Sequence, residues 1–410
     1  MRVEAYGTTD VGCKREANED HLLVMPELVD GVGLFIVADG VGGEAGGGAA
    51  SRAFVDLVLE GIQQNIEAFE HYNDDNDRAQ RDLLLHTLKR VLSSVNYDLY
   101  AEHQANARQM GATTGLVAIS VGQGVFIGHA GDCRAYLLRG GQTYQLTADH
   151  TFAQKLLDEG LLQREDLATF PYKNVVTRAF GREPVIDVDT LFVDCFPGDR
   201  MILCSDGLHG LVPWDELAPL SSLFPDPRHL SDHLISEANR RGGHDNITAL
   251  TMDVHGEHEP SNIDLDRKLD LMRNMFLFQN LTDQELMKVL RIVYEQRFAG
   301  GTPIIVEGTE GTEIYLLAEG IVDVSLNGAY LTSIAAGGHF GELALIEDGF
   351  RSASVTARRD CFLLTIHRDG FESLLASDHL LATKLLGSFL RNVAGRVRDL
   401  SHELSESRKA

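Results

Sequence analysis

The chain has 410 residues, of which 44% are hydrophobic, and its formal net charge is −25. This length predicts two domains, and the apolar fraction is sufficient for a buried core in each. The acid excess excludes nucleic acid and anionic membrane surfaces as partners, because both repel a negatively charged protein.

Short β-strands and two amphipathic helices are predicted in the first part of the chain, up to about Val254. The helices run from about Ala50 to Ile66 and from Arg81 to Gln104, where apolar residues recur on one face. The acidic residues 73–77 between them are predicted to form a solvated turn. Residues 151–182 are predicted to be helical at first and then irregular. Apolar segments bounded by Gly and Asp predict strands at Leu34–Ala38, Thr114–Val121, Val125–Gly128, Arg134–Leu138, Arg200–Cys204 and Asn246–Val254.

A polar segment at residues 255–263 is predicted to be a linker, because it is rich in charged residues and contains a proline. Helices are then predicted up to about Val293. Short strands with Gly-rich turns follow from Gln296 to Ile366, and a helical tail begins at Phe371.

The last helix carries a pattern of its own, in which apolar residues alternate by four and by three. This spacing is typical of a coiled coil. Two interpretations stay open: the helix packs on its own domain, or it forms the seam of a homodimer. The residues of the pattern are Leu386, Leu390, Val393, Val397, Leu400 and Leu404.

The five cysteines are dispersed and show no CxxC pair. Their spacing excludes a disulfide framework and a zinc knuckle and indicates a reducing compartment. The first residues form no apolar signal segment, and no uncharged apolar run approaches the length of a membrane span, about 20 residues. We therefore expect a cytoplasmic protein.

Acidic residues recur at the ends of apolar strands. Asp39, Asp132 and Asp206 each follow a predicted strand, and Asp245 precedes one. Any one of them has the alternative interpretation of an ordinary Asp-Gly turn. Together they predict an oxygen-rich site for a hard cation such as Mg²⁺ or Mn²⁺.

The order of these segments resembles the type-2C (PPM) family of metal-dependent protein serine/threonine phosphatases. The resemblance extends from residue 1 to about 254. It is specific because seven motifs occur in the family's order, whereas each motif alone is weak. The motifs are Asp10–Asp20, Val37–Gly43, Gly111–Thr114, Gly128–Arg134, Leu146–His150, Cys204–Gly207 and His244–Thr248.

The resemblance implies a β-sandwich flanked by helices, with two metal ions at one edge. It implies that Asp39 bridges the two ions, that Gly40 binds through its carbonyl oxygen, and that Asp206 and Asp245 complete one ion. Two such ions activate a bridging water for in-line attack on phosphorus, so no covalent nucleophile is needed.

The resemblance also assigns residues around the two ions. Asp20, with Glu19 as a further candidate, orients the waters of the second ion. Asp132 helps to hold a third, weaker ion. Arg15 binds the phosphate of the substrate, because a guanidinium group pairs with two phosphate oxygens.

Two departures from the family pattern concern the chemistry. Val41 stands where some members have a histidine that is proposed as the proton donor, so the general acid is unassigned and water is a candidate. Cys133 replaces a serine, which is tolerable because the ligand is the preceding aspartate. The glycines at residues 40–46 also resemble a dinucleotide-binding fingerprint, a weaker alternative.

A second resemblance covers about residues 271–400, to cyclic nucleotide-binding domains. Its core is Gly-Glu-x-Ala-Leu with an arginine nine residues after the glutamate. Free backbone N–H groups would bind the cyclic phosphate, Arg351 would neutralise it, and Glu342 would accept from the ribose hydroxyl. The alternative is a scaffold without ligand, and Ser352 does not choose between cAMP and cGMP. The residues implied are Gly341, Glu342, Leu343, Ala344, Arg351 and Ser352.

We thus predict an α+β chain with a phosphatase domain at 1–254, a linker at 255–263, a cyclic nucleotide-binding domain at 264–400 and a tail at 401–410. The predicted function is hydrolysis of phosphoserine and phosphothreonine in protein substrates of serine/threonine kinases, regulated by cAMP or cGMP. A small protein that antagonises an anti-sigma factor is a further candidate substrate. The alternative is an inactive phosphatase fold that acts as a cyclic-nucleotide-sensing interaction protein.

Overall fold

The computed structural model describes residues 1–41, 46–72, 78–105, 111–163, 166–167, 170–256, 265–290, 292–345, 350–377 and 380–392. The predicted turn at 73–77 and the tail at 401–410 lie outside these ranges. The chain divides into two compact units, Met1–Glu259 and Pro260–Ala410. Among the described helices, none has the length and apolar character needed to span a membrane.

Two five-stranded antiparallel sheets lie at the centre of the first unit. One has the strand order β1-β10-β9-β6-β7 and the other β2-β3-β4-β5-β8. The strands are β1 (Arg2–Asp10), β2 (His21–Val29), β3 (Val32–Val41), β4 (Ala112–Val121), β5 (Gly124–Ala130), β6 (Arg134–Arg139), β7 (Gln142–Gln145), β8 (Asp189–Asp194), β9 (Arg200–Cys204) and β10 (Ile247–His255).

Helices cover the outer face of each sheet. Leu88 and Phe54 belong to the core between the β3-containing sheet and its helices, and Leu230 and Leu234 to the core on the other sheet. The layers are therefore helix, sheet, sheet, helix, and the predicted α+β sandwich is confirmed. The helices of this unit are α1 (Gly46–Gln63), α2 (Ile66–Glu70), α3 (Arg78–Ala105), α4 (Phe152–Asp158), α5 (Asp206–His209), α6 (Trp214–Leu223) and α7 (Pro227–Arg240).

The six predicted strands and the two predicted amphipathic helices are present, and the unit contains further helices that were not predicted. Helix α7 was missed although it has start signals, since Asp226 caps the backbone N–H groups of Arg228 and His229 and Pro227 follows the cap. Strands β1 and β2 were missed because both are only half-buried, β1 is rich in polar residues, and β2 is interrupted by Pro26.

The dinucleotide alternative for residues 40–46 is wrong. Strand β3 pairs antiparallel with its neighbour β4, with Asp39 opposite Thr114. A dinucleotide-binding unit requires a helix that joins two parallel strands.

The second unit contains two four-stranded antiparallel sheets, with strand orders β11-β18-β13-β16 and β12-β17-β14-β15. Leu317, Val322 and Leu363 lie in the core between them. This arrangement confirms the predicted β-roll. The strands are β11 (Val293–Phe298), β12 (Pro303–Ile305), β13 (Glu313–Glu319), β14 (Ile321–Leu326), β15 (Ala329–Ala335), β16 (His339–Phe340), β17 (Ser354–Ala357) and β18 (Cys361–His367).

Helices α8 (Leu265–Asn274), α9 (Asp283–Leu290) and α10 (Arg368–Ser377) accompany this roll, and residues 380–392 form a last helix. Leu381 and Leu385 of the last helix are fully buried, whereas Leu386 is 40% and Leu390 is 68% exposed. One face therefore packs on the unit itself, and the first two residues of the coiled-coil pattern lie on the other face. The remaining residues of that pattern lie outside the described ranges.

Candidate active site

The predicted metal-binding aspartates lie where strands end at one edge of the first unit. Asp39 is near the end of β3, and Asp132 follows the end of β5, which lies two strands away in the same sheet. Asp206 opens α5 directly after β9, and Asp245 lies shortly before β10. Because the strands are antiparallel, the end of one lies beside the start of the next, which also brings Asp20 in front of β2 to this edge.

Burial and mutual repulsion disfavour the ionised form of these carboxylates. Burial is the larger cause and raises the pKa of Asp20 to about 7, of Asp132 to about 8 and of Asp206 to about 6. The pKa of Asp39 is raised well above its usual range by burial of its carboxyl group and then by the charges of the neighbouring aspartates. A cation beside these groups would relieve this repulsion.

Asp20 is the most informative member of the cluster. It is 3% exposed, and its Oδ2 accepts hydrogen bonds from Ser205 Oγ and Thr248 Oγ1, each over 2.7 Å. Its other oxygen, Oδ1, is buried and has no hydrogen-bond partner. A buried carboxylate oxygen without a donor is costly, and a cation is the partner that its chemistry fits.

Two glycines bring the backbone of this edge close together. A Cβ atom on Gly40 would lie 2.4 Å from the carbonyl carbon of Gly47, and one on Gly207 would lie 2.0 Å from the carbonyl oxygen of Asn246. Any side chain at either position would push these segments apart. The glycines therefore allow Gly40 to pack closely against the start of α1, and the start of α5 to pack closely against Asn246.

Arg15, the predicted phosphate ligand, lies beside the cluster. Its Nη2 donates to Asp245 Oδ2 over 2.7 Å, and this hydrogen bond raises the pKa of Arg15. The two side chains are 51% and 35% exposed. Arg15 is therefore held at the edge of the site and remains open to solvent.

Asn246 joins the loops around the site, a role that the sequence analysis missed. Its Oδ1 accepts from the backbone N–H of Glu19 over 2.9 Å, and its Nδ2 donates to the carbonyls of Val11 and Ala17 over 3.0 and 2.9 Å. The asparagine thus fixes the segment that carries Arg15 against the start of β10. Its place beside Asp245 in the last motif was the only signal.

A second group of ligand-like side chains lies nearby. His129, His150 and Asp189 bring one ligand atom each within 4.8 Å of one another. Arg178, however, places its Nη1 3.1 Å from His150 Nε2 and 2.9 Å from Asp189 Oδ1. The guanidinium group of Arg178 already supplies a positive charge to these side chains. We therefore interpret the cluster as a set of polar contacts that attach residues 151–182 to the sheet. In the described part of the chain, no three of the clustered aspartates bring ligand atoms within 4.8 Å of one another.

In the second unit, the predicted nucleotide-binding residues form a tight turn. Gly341 has a φ of +83°, and a 3-10 turn, Glu342–Leu345, follows it. Ala344 is buried, and Ser352 is exposed. Arg351 is predicted to neutralise the cyclic phosphate, but in this structure its Nη2 lies 2.9 Å from Glu313 Oε2. Sequence analysis missed Glu313 because it lies in another strand and belongs to no motif.

Known families match both units. The family described as Protein phosphatase 2C matches residues 14–238, and the family described as Cyclic nucleotide-binding domain matches residues 295–378. The serine/threonine phosphatase stp of Listeria monocytogenes is 34% identical over 247 residues, which make up 60% of this chain and 93% of that protein.

Solved structures agree with this assignment. The serine/threonine phosphatase PstP/Ppp of Mycobacterium tuberculosis is 29% identical with a TM-score of 0.52, and the match covers 62% of this chain and 99% of that one. The catalytic domain of PstP in complex with two manganese ions is 28% identical with a TM-score of 0.51, again over 62% and 99%. The chain therefore belongs to the protein phosphatase 2C family of metal-dependent serine/threonine phosphatases, and it carries a C-terminal cyclic nucleotide-binding domain.

Proposed function

We propose that the first unit hydrolyses phosphoserine and phosphothreonine in proteins with a pair of Mn²⁺ or Mg²⁺ ions held by the acidic cluster. The buried, unpartnered Oδ1 of Asp20 among repelling carboxylates carries this proposal. When bound, the two metal ions supply a water molecule that is activated at neutral pH, and they stabilise negative charge on the phosphoryl oxygens. The related PstP structure with two manganese ions supports the choice of metal.

Each residue of the cluster has a proposed task. Asp39 would bind both ions, Gly40 would bind through its carbonyl oxygen, and Asp206 and Asp245 would complete the ligands of one ion. Asp20, fixed through its other oxygen by two hydroxyl groups, would orient the waters of the second ion.

Two further residues act at the rim of the cluster. Asp132 is proposed to hold a third, weaker ion. Arg15 exchanges its bond with Asp245 for the substrate phosphate, which it reaches from its exposed position. This exchange costs little, because an exposed ion pair contributes only about 0–1 kcal/mol.

Asp39→Asn tests the metal assignment. We expect loss of phosphopeptide hydrolysis with an unchanged circular dichroism spectrum, since the amide keeps the shape but not the charge of the ligand. EDTA should abolish the activity of the unmodified protein reversibly. The matched control is Asp56→Asn, which neutralises an exposed carboxylate on α1. Retained activity in Asp39→Asn refutes the two-metal site.

We further propose that a cyclic nucleotide, cAMP or cGMP, binds at Gly341–Ala344 and Arg351 and changes phosphatase activity. Coupling between two sites typically amounts to about 1–3 kcal/mol, which corresponds to a roughly 5- to 150-fold change in affinity. We expect a change of this order in kcat/KM for a phosphopeptide when the nucleotide is saturating. Arg351→Ala should remove the response without altering the basal rate. Identical kinetics with and without bound nucleotide refute the coupling.

The exposed face of the last helix supports a proposed homodimer. Leu386 and Leu390 are exposed while Leu381 and Leu385 are buried against the same unit, so an apolar face is left for a second copy. We expect a dimer in sedimentation velocity and a monomer after Leu390→Glu. A monomeric unmodified protein contradicts this part of the proposal.

The alternative, an inactive fold that serves as a sensing partner, is disfavoured by the intact acidic cluster. Buried, mutually repelling carboxylates destabilise a protein that has no cation to bind. Hydrolysis of p-nitrophenyl phosphate with Mn²⁺ separates the two functions, since an inactive fold gives none.

A further inference from the structure

The arginine that we propose binds the cyclic phosphate already has an anionic partner. Arg351 Nη2 lies 2.9 Å from Glu313 Oε2, and Arg351 Nη1 donates to the backbone carbonyl of Glu313 over 2.9 Å. The Arg351 side chain is only 8% exposed. Both terminal nitrogens of the guanidinium group therefore donate to the same residue, Glu313.

The backbone closes around this ion pair. A Cβ atom on Gly311 would lie 1.9 Å from Arg351 Nε, and one on Gly341 would lie 2.8 Å from Nη1. The guanidinium group thus lies in a narrow slot between the turn before β13 and the first residue of the phosphate-binding turn. Both positions require glycine if Arg351 is to stay paired with Glu313.

Glu313 keeps partners of its own if Arg351 turns to another anion. Its Oε2 also accepts from the backbone N–H of Thr312 over 3.1 Å, and its Oε1 lies 3.6 Å from His367 Nδ1. The carboxylate would therefore not be left without a hydrogen bond. The loss of Arg351 from this pair is a feasible exchange rather than the creation of an isolated buried charge.

We propose that Glu313 is an internal competitor of the cyclic phosphate. It holds Arg351 before nucleotide binds, and it lowers the affinity of the domain because the phosphate must take over the arginine or share it. This inference rests on the nucleotide site proposed above. The free energy of binding is then the difference between the pairing of Arg351 with phosphate and its pairing with Glu313.

Glu313→Gln tests the competition, because it keeps the size and one oxygen of the side chain while it removes the charge and replaces the other oxygen with an NH₂ group. Titration calorimetry on the full chain with cAMP and with cGMP is expected to show about tenfold tighter binding, equivalent to about 1.4 kcal/mol. The matched control is Glu319→Gln in the same strand, whose carboxylate pairs with Arg267 over 3.2 Å. It should leave the Kd unchanged.

The gain must also depend on Arg351. In an Arg351→Ala background, Glu313→Gln is expected to have no effect on the weak residual binding, a result that a merely structural role would not produce. Equal or weaker binding by a folded Glu313→Gln variant overturns the proposal, because Glu313 would then position the arginine for the phosphate. If neither the unmodified protein nor the variant binds nucleotide at millimolar concentration, the nucleotide site itself is refuted and the competition with it.

Discussion

Asp20→Asn is expected to stabilise the metal-free protein and to destabilise the metal-loaded one. Burial and neighbouring charges raise the pKa of Asp20 from 3.8 to about 7. A pKa unit corresponds to about 1.4 kcal/mol, so the ionised carboxylate costs up to roughly 4 kcal/mol above pH 7. The amide oxygen still accepts from Ser205 and Thr248, but its NH₂ group replaces the unpartnered oxygen at a cost of about 1–3 kcal/mol. The net gain in EDTA is therefore about 1–3 kcal/mol.

Bound Mn²⁺ reverses the sign of the stability change that Asp20→Asn causes. A ligand at a hundred times its Kd stabilises the folded state by about 2.7 kcal/mol, and Asp20→Asn forfeits much of this. The assay is thermal unfolding in EDTA and in saturating MnCl₂, where 1 kcal/mol shifts the Tm by roughly 2–4 °C.

The matched control for Asp20→Asn is Asp199→Asn. Asp199 is equally buried but is paired with Arg139 and accepts from the backbone N–H of Phe196, so its loss should lower the Tm in both buffers. A lowered Tm for Asp20→Asn in EDTA refutes the argument that this carboxylate awaits a cation.

Three further outcomes follow from the same geometry. In EDTA, the raised pKa values of the clustered aspartates make the folded state bind more protons than the unfolded state between about pH 4 and 8, so stability should fall as pH rises through that window; a rise in Tm contradicts this. Arg15→Ala should lower kcat/KM for a phosphopeptide roughly tenfold while Mn²⁺ stabilisation persists, because Asp245 stays in place; unchanged kinetics exclude Arg15 as a phosphate ligand. Arg200→Met should destabilise the first unit by about 3–5 kcal/mol, measured by urea unfolding, because it leaves the buried Asp253 unpaired, and the activity of the folded fraction should not change.

The sequence predicted the elements that contain continuous apolar segments. Strand β3 is buried from Val32 to Ala38, and the Asp-Gly pair that follows marks where the acidic cluster lies. The helices α6 and α7 were not predicted, because each has a polar face and only a short apolar stripe, which gives an amino-acid composition similar to that of loops.

The pairings within the sites were equally invisible in the sequence. Asn246 bonds to residues about 230 positions away, and Glu313 pairs with Arg351 across 38 positions. Only folding brings residues so distant in sequence together. A motif therefore identifies the chemistry of a site, but not the other side chains that position its residues or compete with its ligand.

The pairing of β1 with β10 has a consequence for the synthesis of this enzyme. These are the first and last strands of the phosphatase unit, and they pair along their whole length from Arg2–His255 to Asp10–Ile247. The loop that carries Arg15 is held by Asn246, so it cannot be fixed until about 250 residues have left the ribosome. At about 5–20 residues per second, the first 250 residues take roughly 12–50 s to synthesise, and no assembled centre exists during that time. We therefore expect growing chains to have no phosphatase activity until the last strand of this unit has been synthesised.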